Sequence, residues 1–241
     1  MNNKNKILIV IWSVILLFLL VWSYSLNKDN NDYLISIDIE SNSNVNNPID
    51  YEGIINKIRN EYQNNDIIGI LSIDNTDYKV PILQGEDNSY YLNHTPDGKE
   101  NFMGSIYLDY RVNIDSSRKL LIYGHNSSRI DMPFKILEEF YDKDYYDNHK
   151  YISIMTSAAE RKYEVFSVYV ETDDFTYMNI NFDSDEDYFN HIKKLKDKSM
   201  YDTGIEVNKD DDILILQTCS THRDYSNYAK KYLLIILRRV L

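Results

Sequence analysis

Ile213-Leu-Ile-Leu-Gln-Thr-Cys219 is a short apolar run that ends on the only cysteine of the chain. Seven further runs share its character, rich in β-branched, aliphatic and aromatic residues: Ile67 to Ile73, Tyr78 to Leu83, Gly104 to Leu108, Leu120 to Tyr123, Tyr151 to Thr156, Tyr163 to Val170 and Tyr232 to Val240. Turn clusters such as Asp74-Asn-Thr-Asp77 and Asp97-Gly98 separate them. Short runs punctuated in this way specify a mainly β sandwich or barrel. With seven glycines and four prolines the chain is neither low-complexity nor repetitive.

Three segments carry a helical period instead. Ile54, Ile55, Ile58 and Tyr62 follow Pro48-Ile-Asp50, so the β-rich region opens with an amphipathic helix capped by Asp50. Asp131-Met-Pro-Phe134 supplies a cap and an early proline for a second helix that buries Phe134, Leu137 and Phe140. Ser184-Asp-Glu-Asp187 fits a capping box, Tyr188, Ile192 and Leu195 share one face, and Lys193 to Lys198 complement the C-terminal dipole. That third helix stands between two strands, as an insertion in a sheet.

At the N-terminus, Lys4 and Lys6 precede an apolar stretch from Ile7 to about Leu26. About 20 such residues cross a bilayer as a helix. The lysines favour an inside N-terminus, and Trp12, Trp22 and Tyr24 are candidate interfacial residues. No small-residue cleavage site appears around Tyr24-Ser-Leu-Asn-Lys28, which favours an uncleaved anchor over a signal peptide. The expected organisation is therefore a membrane anchor with a short cytoplasmic tail over 1–26, a polar stalk over 27–48 and one exported domain over 49–241. The chain's formal net charge of -12 argues against nucleic acid and anionic lipid as partners of that domain.

A lone cysteine in an exported domain is either an inert buried thiol or a reactive one. Reactivity needs the thiolate, and hence a nearby cation or base. Among His94, His125, His149, His191 and His222, His191 reads as a solvated helix residue and His94 and His149 as surface residues. His125 follows the strand Leu120-Leu-Ile-Tyr123 through Gly124, which places an imidazole at a strand end, where functional groups collect. Cys219 and His222 lack a second pair at zinc-binding spacing, so neither metal nor cofactor is expected.

Five pieces occur in the order seen in class B sortases: Gly85-Glu-Asp-Asn88 with Tyr90-Tyr-Leu92, Gly104-Ser-Ile-Tyr-Leu-Asp109, Tyr123-Gly-His125-Asn126, Lys198-Ser-Met-Tyr-Asp-Thr-Gly204 and Asp212-Ile-Leu-Ile-Leu-Gln-Thr-Cys219. The chain resembles that family from about residue 49 to 241. The resemblance implies a closed eight-stranded β-barrel with an N-terminal helix and an inserted helix before the last two strands. It also implies a single-pass membrane protein of a Gram-positive bacterium, its catalytic domain outside the cell. The implied activity is cysteine transpeptidation: secreted surface proteins bearing a C-terminal sorting signal are joined to an amine of peptidoglycan or its lipid-linked precursor.

Residue by residue, the resemblance assigns Cys219 as nucleophile and His125 as proton donor and acceptor. The family also uses an arginine at the last strand. Here Lys231 stands where that strand begins, with Arg223 in the preceding loop as second choice and Arg238 well into the strand. Lysine offers charge without a planar fork. Asn88, Leu92, Tyr123, Tyr177 and Met178 are implied to line the substrate groove, and Gln217 stands where many relatives carry a small serine. Two rival readings are a hydrolytic thiol peptidase on the same scaffold and a silent sortase-like binding module.

Overall fold

The computed structural model describes residues 48–240, together with residues 12, 14–17 and 34. The chain divides into two units, 1–32 and 33–241. The expected anchor over 1–26 and the expected stalk over 27–48 lie almost wholly outside the described residues, although residues 12 and 14–17 are helical. Among the described residues no helix is long and apolar enough to cross a membrane.

Every run singled out in the sequence forms a strand: β1 Ile67–Ile73, β2 Lys79–Leu83, β3 Ile106–Leu108, β4 Lys119–Tyr123, β5 Tyr151–Thr156, β6 Glu160–Glu171, β7 Ile213–Cys219 and β8 Tyr232–Arg239. They close into a barrel in the order β1-β2-β3-β4-β7-β8-β6-β5. Closure leaves no unpaired sheet edge. β2 with β3 and β4 with β7 run parallel, and the remaining pairs are antiparallel. In β7, Leu214 and Leu216 belong to one buried cluster and Ile213 and Ile215 to another. That is the period of two of a strand covered on both faces, and it explains why the run reads as continuously apolar rather than alternating.

The second cluster is closed over by helices. α1, Tyr51–Tyr62, is capped by Asp50, whose Oδ1 accepts from Gly53 N at 2.9 Å, and it buries Ile55 and Ile58. α3, Asp185–Asp197, is capped by Ser184, whose Oγ accepts from Asp187 N at 3.1 Å, and it buries Tyr188, Ile192 and Leu195. Each such isoleucine or leucine contributes roughly 1.5–3 kcal/mol by leaving water. The piece 198–204 that follows α3 lies along β6. There Thr203 Oγ1 donates to Phe166 O at 2.9 Å, and Met200 N donates to Val168 O at 2.8 Å.

The second expected helix departs from its reading. Asp131 is exposed, and residues Lys135–Tyr141 form a 3-10 helix followed by α2, Lys143–His149, capped by Asp142. Phe134, Leu137 and Phe140 are fully buried as expected. Their uniform spacing of three matches three residues per turn better than 3.6.

Candidate active site

Parallel pairing of β4 with β7 sets Leu120 against Leu214 and Tyr123 against Gln217. Beyond that last pair the chains stay joined: Gly124 N donates to Gln217 O at 3.1 Å, Thr218 Oγ1 to Gly124 O at 2.8 Å, and Asn126 Nδ2 to Cys219 O at 2.9 Å. His125 and Cys219 stand two residues past the Tyr123 and Gln217 pair, so both leave the barrel at the same end. Gly124 is required there, because a Cβ on it would come within 2.5 Å of the Phe134 ring.

The His125 ring is held by a backbone carbonyl, with Nε2 at 2.7 Å from Leu92 O. A carbonyl only accepts, so Nε2 carries a proton and, in the neutral ring, Nδ1 is the open acceptor. Leu92 O reaches this position because the 3-10 turn Tyr90–Leu92 packs onto Gly104, which adopts φ 60; a Cβ there would lie 2.4 Å from Leu92 O.

Cys219 ends β7 opposite Tyr232 of β8 and is exposed. Surrounding protein pushes its thiol up from the ordinary value, and the Lys231 charge opposes that rise. Lys231 is fixed by its backbone, whose carbonyl accepts from Ser220 N at 2.9 Å. Arg223 lies exposed on the 3-10 turn Arg223–Tyr225. Arg238 is committed to Glu164 at 3.2 Å.

The loop after Cys219 is tied to the 3-10 helix before α2. Glu138 accepts from Thr221 N at 2.8 Å and from its hydroxyl at 2.6 Å, and Tyr141 Oη lies 2.7 Å from Ser220 Oγ.

Beside the cysteine a cavity of about 400 Å³ is lined by Asn88, Tyr107, Tyr123, Phe175, Tyr177, Met178, Gln217, Lys230 and Tyr232. Four of the five residues expected at a groove are in this lining. Leu92 is not; it is 39% exposed and takes part through its carbonyl on His125. Gln217 receives a hydrogen bond from Tyr177 Oη at 2.8 Å, so the larger residue at this position is held within the wall.

Beneath the lining lies a charged group that the sequence did not single out as functional. Asp109 is fully buried and accepts from Arg111 Nε and Nη2 at 2.8 and 2.7 Å, Tyr123 Oη at 2.8 Å and Asn88 Nδ2 at 3.1 Å. Burial raises the Asp109 carboxyl pKa, but the Arg111 fork and the tyrosine hold it below the usual range. Phe175 and Lys230 were also not anticipated as lining residues. Lys230 lies 5.4 Å from the Phe175 ring centroid, at a strand end where a lysine ordinarily reads as a solvated edge charge.

One histidine reading needs correction. His191 is buried, not solvated, with Nε2 2.8 Å from Lys119 Nζ. His222 has an ordered ring: Nδ1 accepts from Asp224 N at 3.3 Å, and Tyr141 packs 4.7 Å away. Those contacts turn it to its own 3-10 turn. His222→Ala is therefore expected to retain most peptide cleavage, and a loss comparable to that of His125→Ala would reassign the base. Among the described residues no cluster of three or more His, Cys, Asp or Glu side chains could hold a metal ion.

A sortase domain model matches residues 71–236. The chain is 36% identical over 163 residues to sortase B of Listeria monocytogenes, an alignment spanning 67% of this chain and 66% of the relative. A mutant form of Clostridium perfringens sortase B shares the fold with a TM-score of 0.74, covering 89% of this chain and 98% of that one at 23% identity. A Staphylococcus aureus sortase B–substrate complex superposes with a TM-score of 0.70 at 27% identity, covering 78% of this chain and 85% of that one.

A closed barrel that delivers a cysteine and a histidine to one end, within a matching domain, places the chain in the sortase family. Within that family it is a class B sortase, a cysteine transpeptidase.

Proposed function

We propose that this domain cleaves surface proteins at an Asn-Pro-x-Thr-like or Ser-Pro-x-Thr-like signal and transfers them to a cell-wall amine. Cys219 gives its thiol proton to His125 Nδ1 and its sulfur attacks the threonine carbonyl carbon, giving a tetrahedral oxyanion stabilised by Lys231, with Arg223 as second choice. Collapse breaks the peptide C–N bond while His125 gives a proton to the leaving amine. A thioester on Cys219 remains. The amine of peptidoglycan or its lipid-linked precursor then attacks that thioester, His125 takes a proton from it, and the Cys219 sulfur leaves.

The observation that carries this reading is the β4–β7 register, which brings His125 and Cys219 out at one barrel end beside the cavity. Asn88, Tyr123, Tyr177 and Met178 line that cavity and would contact the signal, with Leu92 acting through His125. The substrate named for the Staphylococcus aureus complex belongs to that protein and supports the class of ligand. The test is a labelled peptide with and without an added amine. Amine capture of the acyl group supports transpeptidation, whereas hydrolysis alone supports a thiol peptidase, and no turnover supports a silent module.

Residues 1–26 are proposed as the single-pass anchor and 27–48 as the stalk, with the 49–241 domain outside the cell. Trp12, Val14, Ile15, Leu16 and Leu17 are exposed, as lipid-facing side chains would be. Deleting residues 1–26 is expected to yield a soluble protein with unchanged peptide turnover, because an anchor supplies location and no chemistry. Insoluble or inactive product would show that the segment supports the domain.

A further inference from the structure

Lys119 opens β4 and is buried, yet the substrate reading gives it no task. Its Nζ donates to Tyr177 O at 2.7 Å and Asn179 O at 2.6 Å and lies 2.8 Å from His191 Nε2. An ammonium has three N–H donors and no acceptor, so these three partners satisfy it completely. Burial and the Lys119 charge push His191 down to about 3, so its ring is neutral and Nε2 can accept. Burial and Arg111 push Lys119 down to about 7, opposing the three acceptors that hold its proton.

Both carbonyls belong to the short stretch around the 3-10 turn Phe175–Met178, from which Phe175, Tyr177 and Met178 enter the cavity lining. The same turn has further ties, among them Lys198 Nζ to Asp174 Oδ2 at 2.8 Å. Arg111 Nη2 donates to Met178 O at 3.3 Å, and Glu171 Oε1 accepts from the amides of Thr172 and Asp174, each at 2.9 Å. An irregular segment has no ladder to fix it, and here the buried Lys119, the Arg111 guanidinium and the buried Glu171 carboxylate replace one.

We propose that Lys119, seated on His191, is a positioning residue that clamps the 175–179 wall of the substrate cavity and so sets affinity for the sorting peptide. The proposal rests on the substrate reading above. It predicts a loss in binding without a loss in chemistry, because Cys219 and His125 are placed by the β4–β7 register and the Leu92 carbonyl instead.

The test uses the full chain in detergent. Lys119→Met removes the donors and keeps the stem. It is expected to raise KM for the peptide by about tenfold or more, equivalent to about 1.4 kcal/mol. The kcat and the rate of Cys219 alkylation by iodoacetamide should stay within about twofold, since only uniform binding is lost. Amide exchange should accelerate in 174–180 and nowhere else. His191→Leu removes one acceptor of three and should move KM and exchange in the same direction by less, which keeps the proposal testable if Lys119→Met does not fold. Unchanged KM and exchange in the folded variants would overturn it, as would kcat and alkylation falling together with affinity. Failure of the wild-type protein to turn over any peptide would instead refute the substrate reading, while exchange would still judge the clamp.

Discussion

Cys219→Ala and His125→Ala are each expected to abolish peptide cleavage while the domain stays folded. Both residues sit beyond the last β4–β7 pair, at a barrel end rather than in its core. Cys219 is exposed, so truncating it removes little packing. Nucleophile and proton carrier act as a unit, and the loss of either costs on the order of 10⁴-fold or more in kcat. The measurement is labelled-peptide turnover beside a thermal melt. A variant that unfolds near the wild-type temperature yet turns over no peptide confirms a chemical role. Retained turnover would remove that residue from the mechanism. Alkylation gives a second handle, since iodoacetamide should silence the wild-type protein through Cys219 alone.

Lys231→Ala is expected to lower kcat by ~10²–10³, the usual cost of losing a preorganised donor at an oxyanion. The basis is proximity: the Lys231 charge is the one that draws the Cys219 thiol downward against burial. Removing it should also move the pH profile of Cys219 alkylation to higher pH, because the thiolate loses its cation. Lys231→Arg should restore or exceed wild-type turnover by supplying the fork that lysine lacks. Arg223→Ala should be nearly silent, since that residue lies exposed on its own turn. If Arg223→Ala is the crippling change and Lys231→Ala the silent one, the loop arginine holds the oxyanion and Lys231 is an edge charge. If neither variant loses turnover, backbone amides suffice.

All eight strands were legible because each is a short apolar run with turn residues at its ends, and such runs need no distant information to be recognised. The capped helices α1 and α3 were legible for a similar local reason: Asp50 and Ser184 each satisfy an orphan amide within one turn. The spacing of Phe134, Leu137 and Phe140 held the 3-10 answer as well, although proline and aspartate upstream suggested an ordinary helix.

Tertiary structure alone decided what polar side chains were for. Lys119 and His191 are 72 residues apart; His191 reads alone as a solvated helix residue, and Lys119 precedes the apolar run that marks its strand. Only barrel closure and the docking of α3 bury them against each other, where dehydration makes a cation and a neutral imidazole depend on one another. Asp109 and Arg111 became the support for Asn88, Tyr123 and Met178 in the same way. Apolar period is a property of neighbours along the chain, whereas the partner of a buried charge is a property of the fold. Local sequence therefore determined which residues form the barrel, and only the tertiary contacts decided which charges hold the cavity wall.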